Sequence, residues 1–264
     1  LDGFSDDERI AVADMPSLDR WVLHRLTEVD ATIRKAIEGH DYHQVFTSLH
    51  HFCNSDLSAF YFDIRKDTLY CADPASVERR ACRTVMDEVF NCLVPWLAPI
   101  LCFTAEEAWQ TRYPNPKESV HFGVWRDLPA DWVDEGLGLR WMRVRDARLV
   151  VTGAIEKLRA DGVVKSSLQA HPTLYAPASV IEAFDGLDAA DIFITSSASL
   201  KQATPPADAR LAEDDETIGV TVALAEGHKC QRCWKILPEV DDAEDAMCQR
   251  CDDVVSTMGD AAAE

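Results

Sequence analysis

The chain has 264 residues, 47% of them hydrophobic, with a formal net charge of −20. A chain of this length can bury a full core and make two or three domains. No stretch reaches the ~18 apolar residues of a membrane span, and residues 1 to 30 carry no secretion signal, so no membrane partner is expected.

The first half reads as helices. From Ser17, the apolar positions Leu18, Val22, Leu26, Val29, Ile33 and Ile37 recur at three- and four-residue steps, with Ser17 placed to cap the start and Gly39 to end it. Tyr42, Val45, Leu49, Phe52, Asp56/Leu57, Phe60 and Ile64 continue the same rhythm as a second helix. A third runs from Val77 through Val85, Val89 and Leu93 to a break or kink at Pro95, which has no amide to donate. Thr104-Ala105-Glu106-Glu107 has the form of a capping box, so a further helix is expected to begin there and carry Ala108 and Trp109 inward.

A turn-rich loop spans Pro114 to Pro129, and another helix is expected from about Leu137 to Ala160. From Arg140 to Lys165 the sequence holds seven basic residues, among them Arg140, Arg145 and Arg148, against three acidic ones. In so acidic a chain this local excess fits either a phosphate backbone or a solvated helix face. Thr173–Ala176, Ile192–Thr195 and Ile218–Val222 are short apolar or alternating runs bounded by turn residues and read as strands, with a short helix from Val180 to Phe184. The acidic end from Asp252 to Glu264 reads as frayed.

The most specific chemistry lies just before that end. Cys230-Gln231-Arg232-Cys233 and Cys248-Gln249-Arg250-Cys251 are separated by fourteen residues. Two such pairs complete the sulfur tetrahedron that zinc prefers in closed structural sites, so Cys230, Cys233, Cys248 and Cys251 are expected to hold one structural Zn2+. Surface dithiols or disulfides are the alternative reading. Neither pair opens a helix after a strand in a βαβ unit, which argues against redox catalysis. The remaining five cysteines bring the total to an odd nine and sit in apolar helical surroundings, a pattern of reduced thiols in a cytoplasmic protein. Lys229, Arg232 and Lys235 surround the first pair with no acid between them.

No catalytic constellation is present: neither type of glycine-rich phosphate loop, no G-x-S-x-G elbow and no H-E-x-x-H helix. His43, His50 and His51 lack a third ligand at matching helical spacing and read as outer-face or capped histidines. Asp56 and Ser58 could form a catalytic pair, but a hydrogen-bond network inside the bundle is the better account.

The run Asp56-Leu57-Ser58-Ala59-Phe60-Tyr61-Phe62-Asp63, with Arg65-Lys66-Asp67-Thr68-Leu69-Tyr70 after it, resembles the helical anticodon-binding domain of isoleucyl-tRNA synthetases. Leu97-Ala98-Pro99-Ile100, Thr104 to Trp109 and Ser119-Val120-His121-Phe122 carry the same resemblance. Gly227-His228-Lys229-Cys230-Gln231-Arg232-Cys233-Trp234 is similar to the C-terminal zinc finger of the bacterial members, a finger related to that of formamidopyrimidine-DNA glycosylases. The resemblance implies a mainly α fold: a class I synthetase anticodon-binding helical bundle over residues 1–135, a basic helix with a small α/β module over 136–225, and a four-cysteine zinc finger with the acidic tail over 226–264. It implies tRNA(Ile) as partner, with no DNA expected, and a monomer.

Members of that family activate isoleucine with ATP on a domain bearing His-x-Gly-His and Lys-Met-Ser-Lys-Ser motifs, neither of which occurs here. The chain, opening at Leu1-Asp2-Gly3-Phe4, therefore reads as a C-terminal fragment expected to be inactive alone, with ATP bound only by the absent catalytic domain. The family's Ile-Gly before Ser-Ser-Leu-Glu-Ala is replaced by Val164-Lys165 before Ser166-Ser167-Leu168-Gln169-Ala170, with Gly162 upstream. The expected RNA contacts are Lys229, Arg232, Trp234, Arg140, Arg145 and Arg148. For Trp234 the competing role is packing inside the finger. A glycosylase-type DNA-binding module and a protein-interaction scaffold are the competing functions; the former lacks its N-terminal Pro-Glu here.

Overall fold

The computed structural model describes residues 1–115 and 117–261, arranged in two compact units. One comprises residues 1–63 and 74–138, the other 64–73 and 139–264. The ten-residue excursion 64–73 thus groups with the C-terminal part of the chain.

In the first unit, α1 (Ser17–Glu38) buries Leu18, Val22, Leu26, Val29 and Ile33, the face its periodicity requires. It is followed by α2 (Tyr42–His51), whose start is capped by the Asp41 carboxylate accepting from the Gln44 amide. The second helix does not continue as a plain α-helix. Phe52–Phe62 is a π-helix, and only Asp63–Cys71 (α3) returns to α geometry. The wider turn explains the sequence: four- and five-residue steps place Phe52, Leu57, Phe60 and Tyr61, with the carboxylate of Asp56 among them, together on the buried side. Tyr61 donates to buried Asp19 at 2.7 Å, and Trp21 meets Phe60 edge-to-face at 5.3 Å between ring centres. Asp56 is buried and accepts from Arg25 Nη2 at 2.9 Å, whereas Ser58 is exposed, so the two form no pair. His43, His50 and His51 are exposed.

Helix α4 (Val77–Leu97) passes through Pro95 and stops two residues later, while Trp125 donates to the Pro95 carbonyl at 3.0 Å. Helix α5 (Cys102–Arg112) begins two residues before the expected capping box, and Thr104 lies within it. Glu106 is used instead as a cross-brace, accepting from Ser119 Oγ at 2.8 Å and the Val120 amide at 3.0 Å. These bonds hold its carboxyl below the ordinary glutamate range. Ala105, not Ala108, is the buried residue; Trp109 is partly buried and stacks on Phe90.

Asp87 on α4 is a charge hub of this unit. Its side chain is buried, and it receives Arg112 Nη2 at 2.8 Å together with Arg9, which also reaches Glu88 at 2.9 Å. Removing one partner of such a cluster leaves uncompensated charge. Asp87→Ala is expected to lower unfolding stability by about 3–5 kcal/mol, measured by urea melting, with Asp87→Asn less severe.

The second unit is built on α6 (Glu135–Ala160), in which Trp141, Val144, Ala147, Val151, Ala154 and Ile155 are buried at helical spacing. Gly162, at φ +74°, ends the helix in the left-handed conformation, with the Gly162 and Val163 amides bonding back to the Arg159 and Leu158 carbonyls. Ser166 and Gln169 then form a capping box leading into β1 (Ala170–Ala176).

The sheet also contains β2 (Ser199–Gln202), β3 (Arg210–Leu211) and β4 (Gly219–Leu224), in the order β2-β1-β4-β3. β1 pairs parallel with β2 and antiparallel with β4. Between β1 and β2 lie α7 (Ala178–Ile181), one 3-10 turn, and α8 (Ala189–Phe193). The strand expected at Ile192–Thr195 is therefore a helix end. Asp188 caps α8 by accepting from the Ala190 amide at 2.8 Å, and Ile194 turns out of it at φ +56°. A four-residue apolar run carries too little periodicity to separate the two outcomes.

The hairpin of β5 (His228–Lys229) and β6 (Ile236–Leu237) brackets the first cysteine pair, and α9 (Gln249–Ala261) follows Cys248. The expected fraying is thus corrected for Asp252–Ala261, which are helical; residues 262–264 lie outside the described residues. Gly227, at φ +107°, passes the Leu237 backbone so closely that a Cβ would lie 2.1 Å from the carbonyl oxygen. No flexible side chain could yield there. Gly227→Ala is expected to displace the hairpin and raise protease sensitivity around residues 228–237, with the first unit unaffected in limited proteolysis.

Candidate functional site

Two tight turns bring the four cysteines together. In the first, the Cys230 amide donates to the Lys235 carbonyl at 2.9 Å and the Trp234 amide to the Cys230 carbonyl at 3.0 Å. In the second, Cys248 opens α9, its carbonyl accepting the Asp252 amide. Gln231 N–H, bonded to the Ala246 carbonyl at 3.0 Å, ties the two turns. The sulfurs of Cys230, Cys233, Cys248 and Cys251 all lie within 4.8 Å of one another, and Cys233 and Cys248 are 3.8 Å apart. A tetrahedron of thiolates about 2.3 Å from one metal has an edge of about 3.8 Å, so the cluster has the size required to hold one ion. Val240, Leu237, Ala246 and Met247 pack around it.

Burial acts to raise the Cys230 thiol, but the amides of Cys233, Cys248 and Arg232 outweigh it, and the thiol falls to about 6. Burial and the neighbouring sulfurs push Cys233 up. Amide donors aimed at the Cys230 sulfur favour its charged form, and a bound cation would favour the charged form of its ligands in the same way.

The two arginines within the pairs point to the same helix. Arg232 Nη1 donates to the Cys71 carbonyl at 2.6 Å and Nη2 to the Tyr70 carbonyl at 3.3 Å, capping the C-terminal end of α3. Arg250 forms a two-pronged pair with the Asp67 carboxylate, one arm at 2.9 Å. Burial would raise the Asp67 carboxyl, but the Arg250 bond and charge outweigh it and hold it below its ordinary value. Asp67 and Arg250 were not among the expected site residues. The signal was the repeated Cys-Gln-Arg-Cys, which gives the two arginines equivalent places.

Trp234 does not pack into the finger. It is 60% exposed, adopts φ +68°, and lies beneath Lys229 Nζ at 4.7 Å from its ring centre. For a bulky residue the left-handed region costs about 1–2 kcal/mol, and Lys229 supplies a cation–π contact. Lys235 is turned away to Asp191 at 2.6 Å.

On α6, Arg140 donates through Nε to the Ala183 carbonyl at 2.8 Å and through Nη2 to that of Asp185. Arg148 Nε donates to the Ile192 carbonyl at 2.8 Å. These two side chains anchor the α7–α8 segment, and Arg145 is likewise engaged. Of the expected contact residues, Lys229, Arg232 and Trp234 sit at the cysteine turn, whereas Arg140 and Arg148 brace the α7–α8 segment, whose Asp191 also pairs with Lys235 of that turn.

No helix among the described residues is long and apolar enough to cross a membrane. The chain matches the family described as the anticodon-binding domain of tRNA ligase over residues 19–174. It is 47% identical over 260 residues to an isoleucine–tRNA ligase of Gluconobacter oxydans, an alignment covering 97% of this chain and 26% of that protein. The Zymomonas mobilis enzyme of the same name is 41% identical over 260 residues, covering 97% and 26%. That of Agrobacterium fabrum is 44% identical over 234 residues, covering 88% and 24%. The chain thus spans about a quarter of the length of the curated relatives it matches. Because the family match takes in more than half of the sequence, α2 to α6 among it, the protein belongs to the anticodon-binding domain family of tRNA ligases.

Proposed function

We propose that the chain grips the anticodon arm of tRNA(Ile) as the anticodon-binding part of a cytoplasmic, monomeric isoleucine–tRNA ligase, while ATP-dependent attachment of isoleucine is carried out by segments of the relatives that this chain does not match. The observation that carries the reading is the exposed, conformationally costly Trp234 beneath Lys229 on a turn fixed by four cysteines. A rigid aromatic face with an adjacent ammonium suits an unpaired base and its phosphate, because proteins read RNA sequence mainly in single-stranded loops. Arg232 serves the contact from behind, by fixing the turn. Arg140, Arg145 and Arg148 add positive field along α6, and Arg140 and Arg148 at the same time brace the α7–α8 segment.

The ion is proposed to be zinc, held by Cys230, Cys233, Cys248 and Cys251 in a structural role: four thiolates leave no open position for water, and the finger has too little apolar surface to fold alone. Bundle, α/β junction and finger divide the work as residues 1–135, 136–225 and 226–264.

Metal analysis of the purified protein should find one zinc per chain. Cys230→Ser or strong chelation should release it and melt the residue 228–254 segment, read as new protease sites there. Zinc absent from the pure protein, or chelation without effect on that segment, would contradict the structural role.

Trp234→Ala should retain zinc and the wild-type melting curve yet bind a tRNA(Ile) anticodon stem-loop roughly five- to a hundredfold more weakly, the range of one lost base stack. Competition with duplex DNA at the same salt concentration tests the partner, since polyanion affinities compare only at fixed salt. Unaltered RNA affinity, or preference for DNA, would sink the reading.

A further inference from the structure

The end of α3 is built into the same surface as the metal turn. Arg232 holds the Tyr70 and Cys71 carbonyls with its guanidinium, and its own carbonyl accepts from Cys71 Sγ at 3.7 Å. Arg250 pins Asp67 one turn earlier. The two metal-turn arginines therefore fix a short helix end whose next side chain outward is Tyr70, 79% exposed.

Tyr70 is thus joined through one guanidinium to the turn that presents Trp234. The backbone that carries the exposed ring is held at its carbonyl, so the helix end does not fray. Its surroundings also suit a polyanion. Residues 64–73 and 228–236 together hold Arg65, Lys66, Lys229, Arg232 and Lys235 against Asp67 and Asp73, with Asp67 paired to Arg250 and Lys235 to Asp191. In a chain of net charge −20 this excess of three positive charges is a marked local reversal.

We infer that Tyr70 is a second base-stacking platform, forming with Trp234 a two-aromatic surface for consecutive unpaired nucleotides of RNA, with Arg232 as the strut that fixes their separation. The inference rests on the RNA-binding function proposed above and extends it to a residue on α3. Holding the backbone that carries each ring removes the cost of ordering those segments on contact, and stacking accepts any base, so the pair supplies grip while other contacts supply selectivity.

The test uses the full chain and a fluorescently labelled tRNA(Ile) anticodon stem-loop at fixed salt, with Trp234→Ala, Tyr70→Leu and Tyr70→Phe compared for affinity and zinc content. Tyr70→Leu keeps apolar bulk without a ring; it should retain zinc and weaken binding roughly five- to a hundredfold, and Tyr70→Phe should restore most of that loss. If Trp234→Ala weakens binding and Tyr70→Leu does not, the platform is overturned while the RNA-binding function stands. If neither change matters, both fall. Equal weakening by Leu and Phe would overturn stacking in favour of a contact through the hydroxyl. Should Tyr70→Leu lose zinc, recovery of metal but not of affinity in Tyr70→Phe would likewise overturn the platform.

Discussion

Four sulfurs must lie within 4.8 Å of one another, and the C-terminal unit is arranged to satisfy that demand. The requirement fixes two tight turns, and each turn needs something outside the short finger to hold it. A glycine that lets the chain slip past Leu237, a hairpin of two two-residue strands and the start of α9 supply the backbone. What they cannot supply is a core, because among the described residues the cysteines are packed by little more than Val240, Leu237, Ala246 and Met247. The deficit is met by attachment to α3 and to the α/β module, through Arg232, Arg250 and Lys235.

Arginine has a common role across this protein. Arg140, Arg148 and Arg232 all donate to main-chain carbonyls at the ends of helices or in the turns after them. A planar guanidinium offers several donors in fixed directions, so it can cap a helix end and keep its charge. A basic cluster read from sequence therefore combines two uses, electrostatic attraction and mechanical bracing. The braces here account for residues that charge counting alone would assign to a ligand.

The parts legible in the sequence were those with strong local codes. The faces of α1 and α4 follow from period, and the doubled Cys-x-x-Cys needs no fold to be recognised. What escaped depended on partners distant in sequence or on a small difference in period. The Phe52–Phe62 segment differs from an α-helix by less than one residue per turn, so its spacing looked continuous. Ile192–Thr195 was too short to choose between strand and helix, and the decision fell to the Asp188 cap. Thr104 and Glu107 had capping-box spacing, but Glu106 found stronger partners at Ser119 and Val120. The part α3 plays at the metal turn was invisible because Tyr70 and Arg232 lie 162 positions apart.

That separation bears on how the protein is made. Tyr70 emerges 162 residues before Arg232, an interval on the order of 10–30 s at translation rates of roughly 5–20 residues per second. Throughout it, the last turn of α3 has no cap and must rely on water for its carbonyls. The composition of the excursion makes the delay tolerable. Of the α3 residues only Ile64 and Cys71 end up buried, so the waiting segment offers nascent neighbours little apolar surface on which to misassociate.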